Sequence, residues 1–247
     1  MVTIRAKNQE FTNIQAVLFD KDGTLEDSQS FLRELGIKRA RLIDAQIPGI
    51  GEPLLMSFGI LDNQLDLTGL MAVGTRQENE VAAAAYIAET GKSWFESRKI
   101  AQQAFADADQ YLQRNPRTSP VFSGCLELLN TLASAGIKLG IVSADSTANI
   151  KRFVEYHQLT EIIQVMLGAD QRYKKPDPAL FLQACQILDV QPEYTLMIGD
   201  AQVDIEMANH AKAGGVIGVC WHQSTATTLK NADVIISQFD QISILDS

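Results

Sequence analysis

Six short apolar, β-branched runs leave this chain few architectures: 15–19, 138–142, 163–167, 194–198, 216–219 and 233–236. A strand with one wet face alternates apolar and polar residues, whereas a continuous apolar run is buried on both faces. Strands buried on both faces belong to parallel sheets covered by helices. Helix-like segments at 125–135, 146–156, 178–188 and 203–213 separate the runs. The alternation predicts a doubly wound, Rossmann-like α/β core.

One interval breaks the rhythm. The first run ends near Phe19 and the second begins near Lys138, far beyond the dozen or so residues that a crossover needs. The interval reads as helical at 28–47, 77–89 and 93–112, and it ends in Asn115-Pro116-Arg117-Thr118-Ser119-Pro120, a linker punctuated by two prolines. The chain therefore divides into a core of residues 1–27 and 118–247 and an inserted α-helical cap of residues 28–117.

Composition narrows the partners. Lys and Arg total 21 against 30 Asp and Glu, a formal charge of −9, which opposes an electrostatic grip on nucleic acid or an anionic membrane. The local basic patch Lys38, Arg39 and Arg41 reads as a solvated helix face. Cys125, Cys185 and Cys220 are widely spaced and odd in number, the pattern of core thiols in a reducing compartment. With no signal-peptide run and no apolar stretch of membrane-spanning length, the expectation is a soluble, cytoplasmic protein; the pattern is also compatible with a homo-oligomer.

In open α/β sheets, ligands bind beyond the carboxyl ends of the strands. Four strand ends carry chemistry: Asp20, Asp22 and Thr24 after the first, Ser143 and Asp145 after the second, Lys174 and Lys175 beyond the third, Asp200 and Asp204 after the fourth. Converging carboxylates repel one another, and a hard divalent cation with oxygen ligands resolves the conflict. Mg²⁺ takes one or two carboxylates, waters and substrate phosphate oxygens, so an acidic protein can still receive an anionic substrate. A lysine, a serine and the N–H groups of the glycine-containing turn could bind the other phosphate oxygens. The cluster points to phosphoryl transfer. Asp20 could attack phosphorus as a carboxylate, and Asp22, two residues on, could protonate the leaving oxygen and later accept a proton from water. His157, His210 and His222 have no ligand spacing and read as surface or core residues.

The motifs resemble those of a haloacid dehalogenase-superfamily phosphatase, phosphoglycolate phosphatase-like and with a C1-type helical cap. Val17-Leu18-Phe19-Asp20-Lys21-Asp22-Gly23-Thr24-Leu25 resembles the first motif, Ser143 the second, Lys175 before Pro176 the third, and Gly199-Asp200 through Asp204 the fourth. The resemblance implies a Mg²⁺-dependent hydrolase of small phosphorylated metabolites working through an aspartyl-phosphate. It makes Asp20 the nucleophile and a metal ligand, Asp22 the general acid and base with its carbonyl on the metal, and Asp200 a metal ligand. Asp204 becomes a direct or supporting metal group, Thr24 a support of the phosphate-binding loop, and Ser143 and Lys175 the phosphate-binding groups.

Asp145 stands two residues after the motif serine, where many relatives carry Asn; its side chain either faces the phosphate unfavourably or caps the helix beginning near Ser146, and capping is the favoured reading. Glu26 either points toward the cap or into solvent, and Trp221 reads as a core or rim residue. The competing reading that the acids are ordinary caps and loop residues does not account for their order along the chain. A β-phosphoglucomutase-like mutase shares the same core residues. A dehalogenase would need only the nucleophile, and a non-catalytic binding module would normally have lost Asp20, Asp22 or the lysine.

Overall fold

A computed structural model describes residues 2–221 and 229–245. The chain forms two compact units, residues 1–27 with 121–247 and residues 28–120. The return crossing thus falls after Pro120, so that both prolines of the linker go with the insertion.

The first unit opens with a hairpin of β1 (Val2–Ala6) and β2 (Gln9–Ile14), followed by β3 (Ala16–Phe19). The second unit contributes α1 (Gln29–Asp44), α2 (Gly51–Ser57), β4 (Ile60–Leu61), β5 (Gln64–Leu65), α3 (Leu70–Val73), α4 (Arg76–Glu89) and α5 (Trp94–Tyr111). The chain then returns to the first unit through α6 (Cys125–Ser134), β6 (Lys138–Val142), α7 (Thr147–Tyr156), β7 (Ile163–Leu167) and α8 (Pro178–Leu188). It finishes with β8 (Thr195–Gly199), α9 (Gln202–His210), β9 (Gly215–Val219), β10 (Val234–Ile236) and β11 (Ile242–Leu245).

The six expected strands form one parallel sheet in the order β10-β9-β8-β3-β6-β7. From β3 the chain winds outward through β6 and β7, then returns to β8 on the other side. The carboxyl ends of β6, β3 and β8 therefore border the switch point, where open sheets bind ligands. Alternate residues of β3 feed opposite cores. Val17 and Phe19 pack with Leu128, Leu129 and Leu132 of α6 and with Ile150, Phe153 and Val154 of α7. Ala16 and Leu18 pack with Leu180, Phe181 and Ala184 of α8 and with Ile205, Met207 and Ala208 of α9. All four residues of β3 are fully buried, as its unbroken apolarity requires.

A second, three-stranded antiparallel sheet, β11-β1-β2, was absent from the expectation. It buries Ile4, Ala6, Phe11 and Ile14 against the α6 and α7 side of the core. These strands are short and half-polar, a weaker signal than the parallel core. The three cysteines are buried. Burial pushes the Cys125 thiol up to about 12 and that of Cys185 up to about 11, consistent with inert core thiols. Among the described residues no helix is long and apolar enough to cross a membrane.

In the second unit, α1, α4 and α5 enclose a core of Leu35, Ile43, Ala83, Ile87, Ala101 and Phe105 among others. Thr75 and Ser93 start α4 and α5 with reciprocal capping boxes to Glu78 and Glu96, so Glu78 is committed to its own helix. Two details differ from the purely helical, solvated expectation. Leu61 and Gln64 are joined by Asp62 and Asn63, both at positive φ, which makes β4 and β5 a tight hairpin. Arg39 is not solvated. It is buried, with its guanidinium 4.2 Å from the Phe105 ring centroid and Nη2 3.3 Å from Asp109 Oδ1. Burial lowers its pKa to about 10 against the opposing pull of Asp109. Arg76 pairs with Asp109 and Glu80.

Candidate active site

Strand register decides which side chains meet. Phe19 pairs with Ile141 on one side and Ile198 on the other, so Asp20, Ser143 and Asp200 all emerge at one rim. The Asp20 N–H donates to Ile198 O at 2.9 Å, extending the ladder one residue past β3. Asp20 is 5% exposed and Asp204 is fully buried.

Lys175 joins these two acids. Its Nζ lies 2.5 Å from Asp20 Oδ1 and 2.6 Å from Asp204 Oδ1, and its side chain is itself 5% exposed. Asp204 is held from its other oxygen by the Ala201 N–H at 3.2 Å, at the start of α9. Thr24 Oγ1 donates to Asp200 Oδ1 at 3.1 Å, so the fully buried threonine hydroxyl steadies a carboxylate. Ser143 is buried, and its Oγ accepts the Asp145 N–H at 3.1 Å. The hydroxyl is thus fixed at the end of β6, on the rim that carries Asp20.

The glycines of the motifs are required by close approach. Gly23 sits at φ +82°, and a Cβ there would lie 2.1 Å from Asp200 Oδ2. A Cβ on Gly199 would lie 2.5 Å from Asp204 Oδ2. The turn after β3 folds on itself: Gly23 N donates to Glu26 O, and the N–H groups of Thr24, Leu25 and Glu26 donate to Lys21 O. These four N–H groups therefore hold the turn itself. Trp221 clamps it from outside, donating Nε1–H to Gly23 O at 2.6 Å while stacking on Phe122.

Two acids sit differently from their expected places, and both meet one lysine. Asp145 does not cap the following helix; Ser146 does, accepting from Asn149 N. Asp145 Oδ1 instead accepts from Ser146 N and Asn149 Nδ2, and its Oδ2 lies 3.2 Å from Lys21 Nζ. Glu26 takes neither expected course: it turns inward, is 3% exposed and pairs with the same Nζ at 2.7 Å. Asp22 Oδ2 is the third partner, at 2.9 Å. Sequence reasoning gave Lys21 no role. The signal was available as three unexplained charges, Lys21, Glu26 and Asp145, at two adjacent strand ends.

Ligand oxygens of Asp20, Asp200 and Asp204 lie within 4.8 Å of one another, and no histidine belongs to the group among the described residues. His222 lies outside the described residues. Burial pushes the Asp20 carboxyl up to about 7, against the pull of Lys175 and with help from Asp204. Asp200 is raised well above the usual carboxylate range by burial, then by Asp20 and Asp204. Burial alone would lower Lys175, yet the two carboxylates outweigh it and the net shift is upward. Crowded carboxylates that bind protons so readily are also suited to a hard divalent cation, and an all-oxygen donor set fits one. The Asp22 carboxylate, turned toward Lys21, is not in the group; its expected place on the metal concerns its backbone carbonyl.

This rim brings Asp20, Asp22, Lys175 and a carboxylate cluster suited to a cation together at the switch point of the sheet. The chain belongs to the haloacid dehalogenase-like hydrolases, whose family model matches residues 14–212, and within them its class is that of phosphoric monoester hydrolases. It is 29% identical over 238 residues to the probable phosphatase IndB of Dickeya dadantii (strain 3937), covering 92% of this chain and 90% of that one. It is 28% identical to a phosphoglycolate phosphatase of Psychrobacter arcticus over 80% of each chain. The fold is shared with the crystal structure of a predicted phosphoglycolate phosphatase from Haemophilus somnus 129pt, at a TM-score of 0.68, 20% identity, and coverage of 92% of this chain and 96% of that one.

Proposed function

We propose that this chain is a Mg²⁺-dependent, cytoplasmic phosphatase of small phosphorylated metabolites, with phosphoglycolate-type esters as its best substrates. The reading is carried by one observation: Asp20 pairs with Lys175 and clusters with the carboxylates of Asp200 and Asp204, with Asp22 two residues beyond it. Relatives bearing the phosphoglycolate phosphatase name support the substrate class.

Asp20 attacks phosphorus with a carboxylate oxygen, and the bond from phosphorus to the ester oxygen breaks. That oxygen keeps the electron pair and takes the proton held by Asp22, leaving as an alcohol. Water then gives a proton to Asp22 as its oxygen attacks phosphorus. The Asp20–phosphorus bond breaks, restoring the Asp20 carboxylate, the Asp22 acid and free phosphate. Lys175 neutralises charge on the phosphoryl oxygens, and Ser143 donates a hydrogen bond to them. Asp20, Asp200 and the Asp22 carbonyl would hold Mg²⁺, with Asp204 in support, and the bound ion would supply Lewis-acid stabilisation of phosphoryl charge. Residues 28–120 act as the cap that selects the ester; Arg98 and Lys99, exposed on α5, are its candidate anion-binding groups.

The test is phosphate release from a panel of phosphoglycolate, hexose phosphates and nucleotides, with Mg²⁺ or with chelator, beside Asp20→Asn. Release that needs both the cation and Asp20 supports the reading. Interconversion of sugar phosphates without release would support the mutase instead, and appreciable turnover by Asp20→Asn would remove the covalent mechanism.

A further inference from the structure

Lys21 has no task in the reaction above, yet its side chain is fully buried. Burying an ammonium costs free energy that pairing only partly returns, and an aliphatic side chain would fill such a site without that cost. Packing alone therefore does not account for the charge. Its geometry does. Nζ donates to Glu26 Oε1 at 2.7 Å and to Asp22 Oδ2 at 2.9 Å, and it forms an ion pair with Asp145 Oδ2 at 3.2 Å. Two of these partners are tied down. Glu26 closes the turn through its backbone, accepting from Gly23 N and donating to Lys21 O. Asp145 is anchored from its other oxygen by Ser146 N and Asn149 Nδ2, both at 2.7 Å. The third partner is Asp22.

We propose that Lys21 is a positioning residue: anchored by Glu26 and Asp145, it fixes the rotamer of Asp22 through Oδ2, so that the proton passes between Oδ1 and the leaving-group oxygen. Lys21 itself, having no exposed surface, does not touch the substrate. The assignment rests on the phosphatase reading and on the acid/base role of Asp22 within it.

A leaving group that needs no proton separates this role from a structural one. Lys21→Met alone strands buried carboxylates, so the informative variant is Lys21→Met/Glu26→Gln, which removes the buried charges together; thermal melting checks its fold. kcat/KM is measured with phosphoglycolate, whose leaving oxygen must be protonated, and with 2,4-dinitrophenyl phosphate, whose phenolate leaves unaided. The expected result is a loss of about 10²-fold for the alkyl ester against no more than about threefold for the aryl ester, the pattern of a displaced general acid. The crystal structure of the variant is expected to show the Asp22 carboxylate shifted by on the order of 1 Å. Equal losses for the two esters, or an unmoved Asp22, overturn the proposal. Should the double variant fail to fold, Asp145→Asn, which loosens one anchor, is expected to show the same split at about tenfold, and an even loss overturns the proposal there too. Absence of Asp20-dependent release by the unsubstituted protein is a separate result, which overturns the phosphatase reading itself.

Discussion

Gly23→Ala separates two costs that glycine avoids at this turn. At φ +82° an alanine incurs about 1–2 kcal/mol of left-handed strain, offset by about 0.4–1 kcal/mol through the smaller entropy of its unfolded chain. The net cost is at most about 1.6 kcal/mol, and at about 2–4 °C per kcal/mol for a chain of this size melting falls by only a few degrees. The new Cβ has a second effect. It starts 2.1 Å from Asp200 Oδ2, and since real Cβ contacts are not found under 3.0 Å, the carboxylate must retreat by about 0.9 Å. That retreat breaks its 3.1 Å bond from Thr24 and opens the cation cluster, and a displacement near 1 Å at reacting groups costs about 10²-fold in rate. Gly136→Ala is the matched control, because Gly136 has φ +81° and a Cβ there would meet nothing within 4 Å. Phosphate release at saturating Mg²⁺ and thermal melting are measured for both. The expectation is similar small losses of stability, with activity lost in Gly23→Ala alone. Gly23→Ala working within about threefold of the unsubstituted protein would refute the argument that Asp200 must stay where it is.

Two further predictions concern the acids. Asp200→Asn is expected to weaken Mg²⁺ binding at least about tenfold in calorimetric titration, since it removes one of the few carboxylates that such a site offers; an unchanged isotherm removes Asp200 from the metal site. The second concerns pH. In chelator, the native state keeps a proton on Asp20 up to about 7, whereas the unfolded chain releases it near the ordinary value of 3.8. Between those values the native state binds more protons, so stability falls as pH rises, by up to a few kcal/mol across the window. Urea midpoints at pH 5 and pH 7 should show that fall in chelator, and the slope should flatten in Asp20→Asn; an Asp20-dependent gain of stability with rising pH contradicts the assigned environment.

The parallel core was legible because two-sided burial leaves no room for polar residues: β6, β7 and α8 begin and end where the sequence pattern puts them. The acids were legible from their order after successive strands. What was not legible is pairing. Glu26 and Asp145 each looked like a surface or capping residue because a charge in sequence carries no direction, and only the adjacency of β3 and β6 brings both onto Lys21. Arg39 was misread for a related reason: its neighbours Lys38 and Arg41 suggested a wet face, while the partners that bury it, Phe105 and Asp109, lie on a helix far along the chain. The β1-β2 hairpin and β11 were missed because their strands are short and partly polar, and because β11 joins β1 from the opposite end of the sequence.

The central place of β3 also orders events in time. It is the first strand of the parallel sheet to leave the ribosome, yet both its hydrogen-bonding edges belong to strands made much later, β6 beginning at Lys138 and β8 at Thr195. At about 5–20 residues per second, the emerging chain carries an unpaired, wholly apolar strand for on the order of ten seconds before its first partner exists. Asp20, attached to that strand, therefore gains its surroundings only after β8 has been made. Pulsed hydrogen exchange on stalled nascent chains would read this directly, with the β3 amides unprotected in chains that stop before Lys138 and protected once β8 has emerged.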